Sequence, residues 1–211
     1  MTGIPLDELR IYTVAASGLA EYLRLAEQVA VPVRGDDYGQ LLGFWHAEIG
    51  SAFRVFNLWR HVDLQTRQAV RARLERLEAW QRDYVAHVHP LMQEQEIRLM
   101  NAVAPLAPPA GDGRLYEARL IRAKVGKAPL LAAALRDEHP DGDAEAAVGL
   151  WTTFAGRLNE VVQLIAYPDA AARLRNSLSS RAWQGFLARH GDGIDRMESS
   201  LLLPAPHSPM R

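Results

Sequence analysis

The chain alternates between segments with apolar residues at every second position and segments with apolar residues three or four positions apart. In ELRIYTV (8–14), Leu9 and Ile11 lie on one face. Arg10 and Tyr12 lie on the other face, which is the period of a half-buried β-strand. The runs QLLGFWHAEIG and AFRVFNLWRH are rich in strand-forming residues and are separated by Gly50, and EQEIRLMNAV is a further strand candidate.

Helical spacing occurs twice within the first hundred residues. The first stripe follows the first strand, and the second follows Asp63, which can cap a helix that ends near Pro90. The stripes consist of Leu19, Tyr22, Leu23 and Ala26, and of Val70, Leu74, Leu77, Trp80, Tyr84 and Val88. The predicted element order is therefore strand, helix, strand, strand, helix, strand.

The second half of the chain repeats this order with similar residues at corresponding places. GFWHAEIG (43–50) corresponds to GLWTTFAG (149–156), because its glycines and tryptophan recur 106 residues later. Further pairs in the same order are Arg10 with Arg119, Asn57 with Gln163, Asp63 with Asp169 and Trp80 with Trp183. Several matches in one order favour an internal duplication over chance.

The repeat predicts how the chain is divided. The first unit spans 7–100, a linker rich in Pro, Ala and Gly spans 101–113, the second unit spans 114–204, and 205–211 forms a flexible tail. A βαββαβ unit forms an antiparallel sheet with both helices on one face. We expect the two sheets to pack face to face on their open sides, which gives an α+β barrel within one chain.

Composition restricts the class of protein more than it identifies a reaction. The 211 residues are 48% hydrophobic, carry a net charge of -1 and include no cysteine. The charge argues against a nucleic-acid partner, and the missing cysteines exclude disulfides and thiolate metal sites. Because no signal peptide and no long apolar run is visible, a soluble cytoplasmic protein without a membrane span is expected.

The combined motifs resemble the NIPSNAP family. The resemblance is carried by ELRIYTV, LLGFWHAEIG, VFNLWRHVD and AWQRDYV, and by the second copy YEARLI, VGLWTTFAG, LNEVVQLIAYPD and RAWQGFL. It implies a ferredoxin-like fold of the dimeric α+β barrel type. Related proteins on that scaffold include cofactor-free monooxygenases, haem-degrading oxygenases and isomerases, while the NIPSNAP branch has no settled reaction. The resemblance therefore implies a scaffold and little chemistry.

We expect a pocket between the two sheets, on the faces away from the helices. The candidate ligand-binding residues are Arg10, Tyr12, Asn57, Trp59, Arg119 and Gln163. The arginines can bind a carboxylate or phosphate, and the amides recur in both halves. Periodicity alone leaves open which strand face points inward. His46 is the candidate catalytic residue, because Thr152 replaces it in the repeat and imidazole titrates near neutral pH.

Three functions compete at this point. The first is binding of a small apolar or aromatic molecule between the halves, with no cofactor and no metal. The second is a monooxygenase or isomerase that needs no cofactor, or a haem-dependent one with His46 or His61 as the iron ligand. The third is a non-catalytic assembly subunit that forms homo-oligomers.

Overall fold

A closed antiparallel barrel forms the centre of the molecule. The computed structural model describes residues 5–111, 113–141 and 147–211. The strands of this part are β1 (Leu6–Val14), β2 (Gln40–Ile49), β3 (Arg54–His61), β4 (Met92–Ala102), β5 (Leu115–Ala123), β6 (Ala147–Ala155), β7 (Glu160–Tyr167) and β8 (Ile194–Pro204). Their order around the barrel is β1-β3-β2-β8-β5-β7-β6-β4. The predicted α+β class with an antiparallel sheet that closes into a barrel is confirmed.

The two halves are joined at the edges of their sheets. The first half runs β4-β1-β3-β2 and the second β8-β5-β7-β6. Antiparallel pairing of β2 with β8 and of β4 with β6 then closes the ring. The sequence predicts that the two sheets pack face to face as a barrel, and the structure shows how the barrel closes: both pairs of sheet edges are joined, so that every described strand has two neighbours.

The helices cover the outer face of the barrel. They are α1 (Leu19–Leu25), α2 (Val31–Arg34), α3 (Leu64–Glu75), α4 (Ala86–Val88), α5 (Ala128–Glu138), α6 (Ala170–Arg175) and α7 (Arg181–His190). A π-helical segment at Ala26–Ala30 joins α1 to α2, and another at Trp80–Val85 precedes α4. Asp63 caps α3 as predicted, since its carboxylate accepts a hydrogen bond from the Thr66 amide at 2.6 Å.

The barrel interior is filled by side chains and holds almost no free space. Leu9, Ile11, Trp45, Phe56 and Trp151 belong to one buried cluster. The cavity that remains among such residues measures about 20 Å³, which is room for about one water molecule. The prediction of a pocket between the two sheets is therefore wrong, because the large apolar side chains of both halves meet there.

The recurring Gly-x-Trp motif is part of the barrel framework. A Cβ atom on Gly43 would lie 2.0 Å from Cη2 of Trp45, and one on Gly149 would lie 2.1 Å from Cη2 of Trp151. Each indole thus folds back over its glycine and fills the barrel. A side chain at either glycine would displace a buried tryptophan.

The segment 205–211 packs against the first half instead of forming the flexible tail that the sequence predicts. Ser208 Oγ accepts a hydrogen bond from the Phe44 amide at 2.9 Å and donates one to the Met210 carbonyl at 2.7 Å. Ala205 and Met210 are buried, and the ring of His207 lies 4.4 Å from that of Phe44. These contacts hold the segment against β2.

The predicted linker runs beside the barrel. Val103 and Ala107 donate backbone hydrogen bonds to β6 at Leu150 and Val148. Asp112 of the linker and residues 142–146 of the second unit lie outside the described residues. In the part of the chain that the structure describes, no helix is long and apolar enough to cross a membrane.

Candidate functional site

A cavity of about 280 Å³ lies between the sheet of the first half and its own helices. It therefore occupies the face of the sheet opposite to the one expected from the sequence. Four of the six predicted ligand-binding residues line it, namely Arg10, Tyr12, Asn57 and Trp59. Aromatic rings supply much of the remaining wall, from Tyr22, Phe44, Trp80 and Tyr84. The alternation of β1 and β3 places these side chains outside the barrel, towards the helices.

Arg10 is held by a buried charge cluster behind the cavity. Its Nε donates to the Glu8 carboxylate, and its Nη1 donates to the Tyr12 hydroxyl at 2.8 Å. Arg67 from α3 donates to the other oxygen of Glu8 at 2.5 Å. Burial alone would raise the pKa of Glu8, but the charges and hydrogen bonds of Arg10 and Arg67 lower it to about 2. The guanidinium of Arg10 is thus fixed against β1.

Two more arginines bring positive charge to the same cavity. The guanidinium of Arg34, at the end of α2, lies 3.6 Å from the ring centroid of Trp59 and 5.7 Å from that of Trp80. Arg34 is 6% exposed, and its Nε has no hydrogen-bond partner in the described structure. Burial, together with the nearby charges of Arg10 and Arg71, lowers the pKa of Arg34 to about 9. An anion in the cavity would relieve this accumulation of charge.

The amide of Asn57 is oriented by a neighbour on its own strand. The Trp59 indole nitrogen donates to Asn57 Oδ1 at 2.7 Å. This hydrogen bond assigns the oxygen and leaves the Nδ2 group as a donor beside Arg10, with which Asn57 is paired across β1 and β3. A guanidinium and an amide therefore stand side by side on the cavity wall.

The other two predicted residues, Arg119 and Gln163, lie at the corresponding place in the second half. There the side chain of Asp141 occupies the space beside them. Arg119 and Gln163 are paired across β5 and β7 as Arg10 and Asn57 are across β1 and β3. The buried carboxylate of Asp141 accepts from Arg119 at 2.6 Å, from Gln163 at 2.9 Å and from the Trp183 indole at 2.9 Å. The structure therefore places the six candidates in two separate sites.

The predicted catalytic residue, His46, does not line the cavity of about 280 Å³. It lies on β2 opposite Val55 and beside Leu203 of β8. His61, the alternative iron ligand, lies 3.7 Å from Glu8 behind Arg10 and is also absent from the cavity wall. Neither imidazole is placed to bind a haem in this cavity. Within 5–111, 113–141 and 147–211, no three His, Asp or Glu side chains form a group that could hold a metal ion.

Sequence reasoning missed the residues that helices bring to the site. Arg34 and Arg71 have no distinguishing motif, and their position depends on how the helices pack against the sheet. Trp80 could have been found, because its recurrence as Trp183 is visible in the sequence. Asp141 was not identified from the sequence, because only the fold brings it to Arg119.

The protein is thus an α+β barrel formed within one chain. Between its first sheet and the helices it has a cavity that is large enough for a small molecule. The NIPSNAP family model matches residues 7–105 and 116–209. The chain belongs to the NIPSNAP family.

Two curated relatives are similar over most of the chain. The NipSnap homologue of Dictyostelium discoideum is 25% identical over 213 residues, covering 93% of this chain and 86% of that protein. Human NipSnap homologue 3B is 27% identical over 185 residues, covering 82% of this chain and 74% of that protein. A crystal structure from Fusobacterium nucleatum, of a protein provisionally named a monooxygenase, matches with a TM-score of 0.75 at 13% identity. It covers 97% of this chain and 94% of that one, and it supports the fold alone.

Proposed function

We propose that this protein binds a small aromatic molecule in the cavity between the first sheet and its helices. The observation that carries the proposal is the wall itself, where the rings of Tyr12, Tyr22, Phe44, Trp59, Trp80 and Tyr84 surround a cavity of about 280 Å³. Apolar and aromatic walls with a few fixed polar groups are typical of small-molecule sites. Arg10 and Asn57 are the fixed polar groups here.

Calorimetric titration of the purified chain with two probes, neutral 2-naphthol and anionic 2-naphthoate, tests this function. We expect at least one probe to bind, and we expect Ala30→Met, which fills the cavity from the π-helical segment, to weaken binding by about tenfold or more. Ala69→Met, at an exposed position of α3, is the matched control and should bind as the unaltered chain does. If neither probe binds, the proposal is wrong.

The monooxygenase alternative has less support. It rests on structural neighbours that share the barrel at low identity, and fold does not fix function. Of the residues that motivated it, Tyr12, Asn57 and Trp59 line the cavity, but the candidate catalytic residue His46 does not. The assembly alternative also has less support, because the described strands leave no unpaired sheet edge through which two copies could join.

We also propose that the chain arose by internal duplication. We infer that each half, 7–100 and 114–204, derives from a ferredoxin-like βαββαβ unit. The inference is supported by the shared strand order 4-1-3-2 of the two halves and by the two matches of the family model. The ligand site is then a property of the first unit rather than of the space between the units.

A further inference from the structure

The buried ion cluster around Arg10 has a close counterpart in the second half. The carboxylate of Glu8 forms ion pairs with Arg10 and Arg67, which donate hydrogen bonds to it. The carboxylate of Glu117 forms ion pairs with Arg119 and Arg173 in the same way. In both halves the glutamate lies two residues before the first arginine on the same strand, and the second arginine lies four residues after the capping aspartate of the next helix. The two clusters are therefore structural equivalents, and the groups beyond each arginine can be compared directly.

In the second half, the groups beyond Arg119 form a binding site for a carboxylate, and the side chain of Asp141 occupies it. Asp141 is 5% exposed and receives hydrogen bonds from a guanidinium, an amide and an indole. The donors are Arg119, Gln163 and Trp183, and two of them also contact one another. Three donors that converge on one carboxylate form a specific and strong site, because hydrogen bonds to a charged acceptor are stronger than neutral ones.

The first half presents the same three kinds of donor around a cavity. Arg10, Asn57 and Trp80 all line it. No carboxylate takes the place of Asp141 among the described residues, and the indole nitrogen of Trp80 has no acceptor there. In the second half, Asp141 follows shortly after the end of α5. In the first half, the corresponding helical segment ends in α2 with the buried cation Arg34. Where the second half supplies an anion, the first half thus supplies an additional cation.

We propose that the first cavity binds an aromatic carboxylic acid, whose carboxylate is held by Arg10, Asn57 and Trp80 as that of Asp141 is held by Arg119, Gln163 and Trp183. The positive charges of Arg34 and Arg71 complement the negative charge of the ligand. Glu75 is the one carboxylate among the described residues that line the cavity. A cavity of about 280 Å³ suits a molecule of one or two rings. This inference rests on the proposed function and specifies its ligand class.

Calorimetric titration with 2-naphthoate and the uncharged 2-naphthamide tests the inference, because the two probes have the same ring and nearly the same shape. We expect 2-naphthoate to bind at least about tenfold more tightly. Arg34→Met should reduce this preference, while Arg24→Met, at an exposed position of α1, should leave it unchanged. Equal affinities would overturn the carboxylate inference and leave aromatic binding intact, whereas absence of binding by both probes would overturn both.

The second half offers an independent test of the comparison. Asp141→Ala removes the internal carboxylate, and we expect the variant to unfold at a lower temperature. Sodium acetate should restore more of the loss than sodium chloride or acetamide at the same concentration, because acetate can occupy the vacated site. Restoration that is no better with acetate would contradict the assignment of this constellation as a carboxylate site.

Discussion

Glu8 is the residue that couples the candidate site to pH. Arg10, Arg67 and His61 face its carboxylate, which is fully buried. The pKa of Glu8 is about 2 in the folded chain, against 4.5 as its ordinary value. Because the folded pKa is the lower of the two, the stabilisation is present above about pH 4.5 and is lost as the pH falls towards 2.

We expect the free energy of unfolding to decrease by about 3 kcal/mol from this residue alone as the pH is lowered through that range. Glu8→Gln should be less stable at pH 7, because it leaves Arg10 buried without its counter-charge, and its stability should change less between pH 5 and 2. Urea unfolding at a series of pH values measures both effects. Glu48→Gln, at an exposed position, should keep the pH dependence of the unaltered chain, and an equally steep dependence in Glu8→Gln would contradict the assignment.

At the scale of single elements, strand β2 depends on the absence of a side chain at Gly43. The Trp45 ring occupies the space where a Cβ would lie, and the same holds for Gly149 and Trp151 on β6. The pairing of β2 with β3 and of β6 with β7 also shifts register at these glycines. Both strands therefore use the glycine to admit a tryptophan into the barrel.

Gly43→Ala should lower the free energy of unfolding by about 1–3 kcal/mol, because the buried indole must move. Gly185→Ala in α7 is the matched control, since its Cβ would come no nearer than 3.5 Å to the end of the flexible Arg189 side chain. This helical substitution should be neutral or stabilising by up to about 1 kcal/mol. Chemical denaturation of both variants makes the comparison, and an unchanged stability of Gly43→Ala would show that the indole is not confined.

The cap of α3 is a second test at this scale. Asp63→Ala should lower the free energy of unfolding by about 1 kcal/mol, because the amide of Thr66 loses its acceptor. Asp63→Ser should retain most of the stability, since a hydroxyl can accept the same hydrogen bond. Thermal and urea unfolding distinguish the two variants, and equal losses would indicate that the capping bond is not the cause.

At the scale of the whole molecule, the barrel is completed by contacts between distant parts of the chain. Trp151 donates from its indole to Asp7 at 2.8 Å, and Asp7 also pairs with Arg60. The 205–211 segment returns to β2 in the first half. We therefore expect the two halves to unfold as one cooperative unit rather than as two independent domains.

Removal of residues 205–211 should therefore destabilise the whole chain. The truncation exposes the surface covered by Ala205 and Met210 and removes the acceptor of the Phe44 amide. We expect a loss of about 3 kcal/mol in the free energy of unfolding, with a single transition retained. Calorimetry measures both quantities, and a chain that lacks only the exposed Arg211 is the control. A truncated chain of unchanged stability would show that the segment is merely adjacent.

The sequence by itself determined the elements and their repetition. The two-residue period of β1 and β3, the cap at Asp63 and the recurrence of Gly-x-Trp are local patterns, and each depends on neighbours along the chain. The same alternation put Arg10 with Tyr12, and Asn57 with Trp59, on common faces. Four of the site residues could be found in this way.

Only the tertiary structure decided which face of the sheet carries the cavity and what each half places in it. Both faces of β1 contain side chains that can be buried, so periodicity does not identify the inner one. The outcome depends on the volume of Trp45 and Trp151, which together with their neighbours fill the barrel. It depends equally on the segments after the first helices, which bring Arg34 to one site and Asp141 to the other. These are contacts between residues far apart in the chain, and a pattern in a single sequence does not encode their distances.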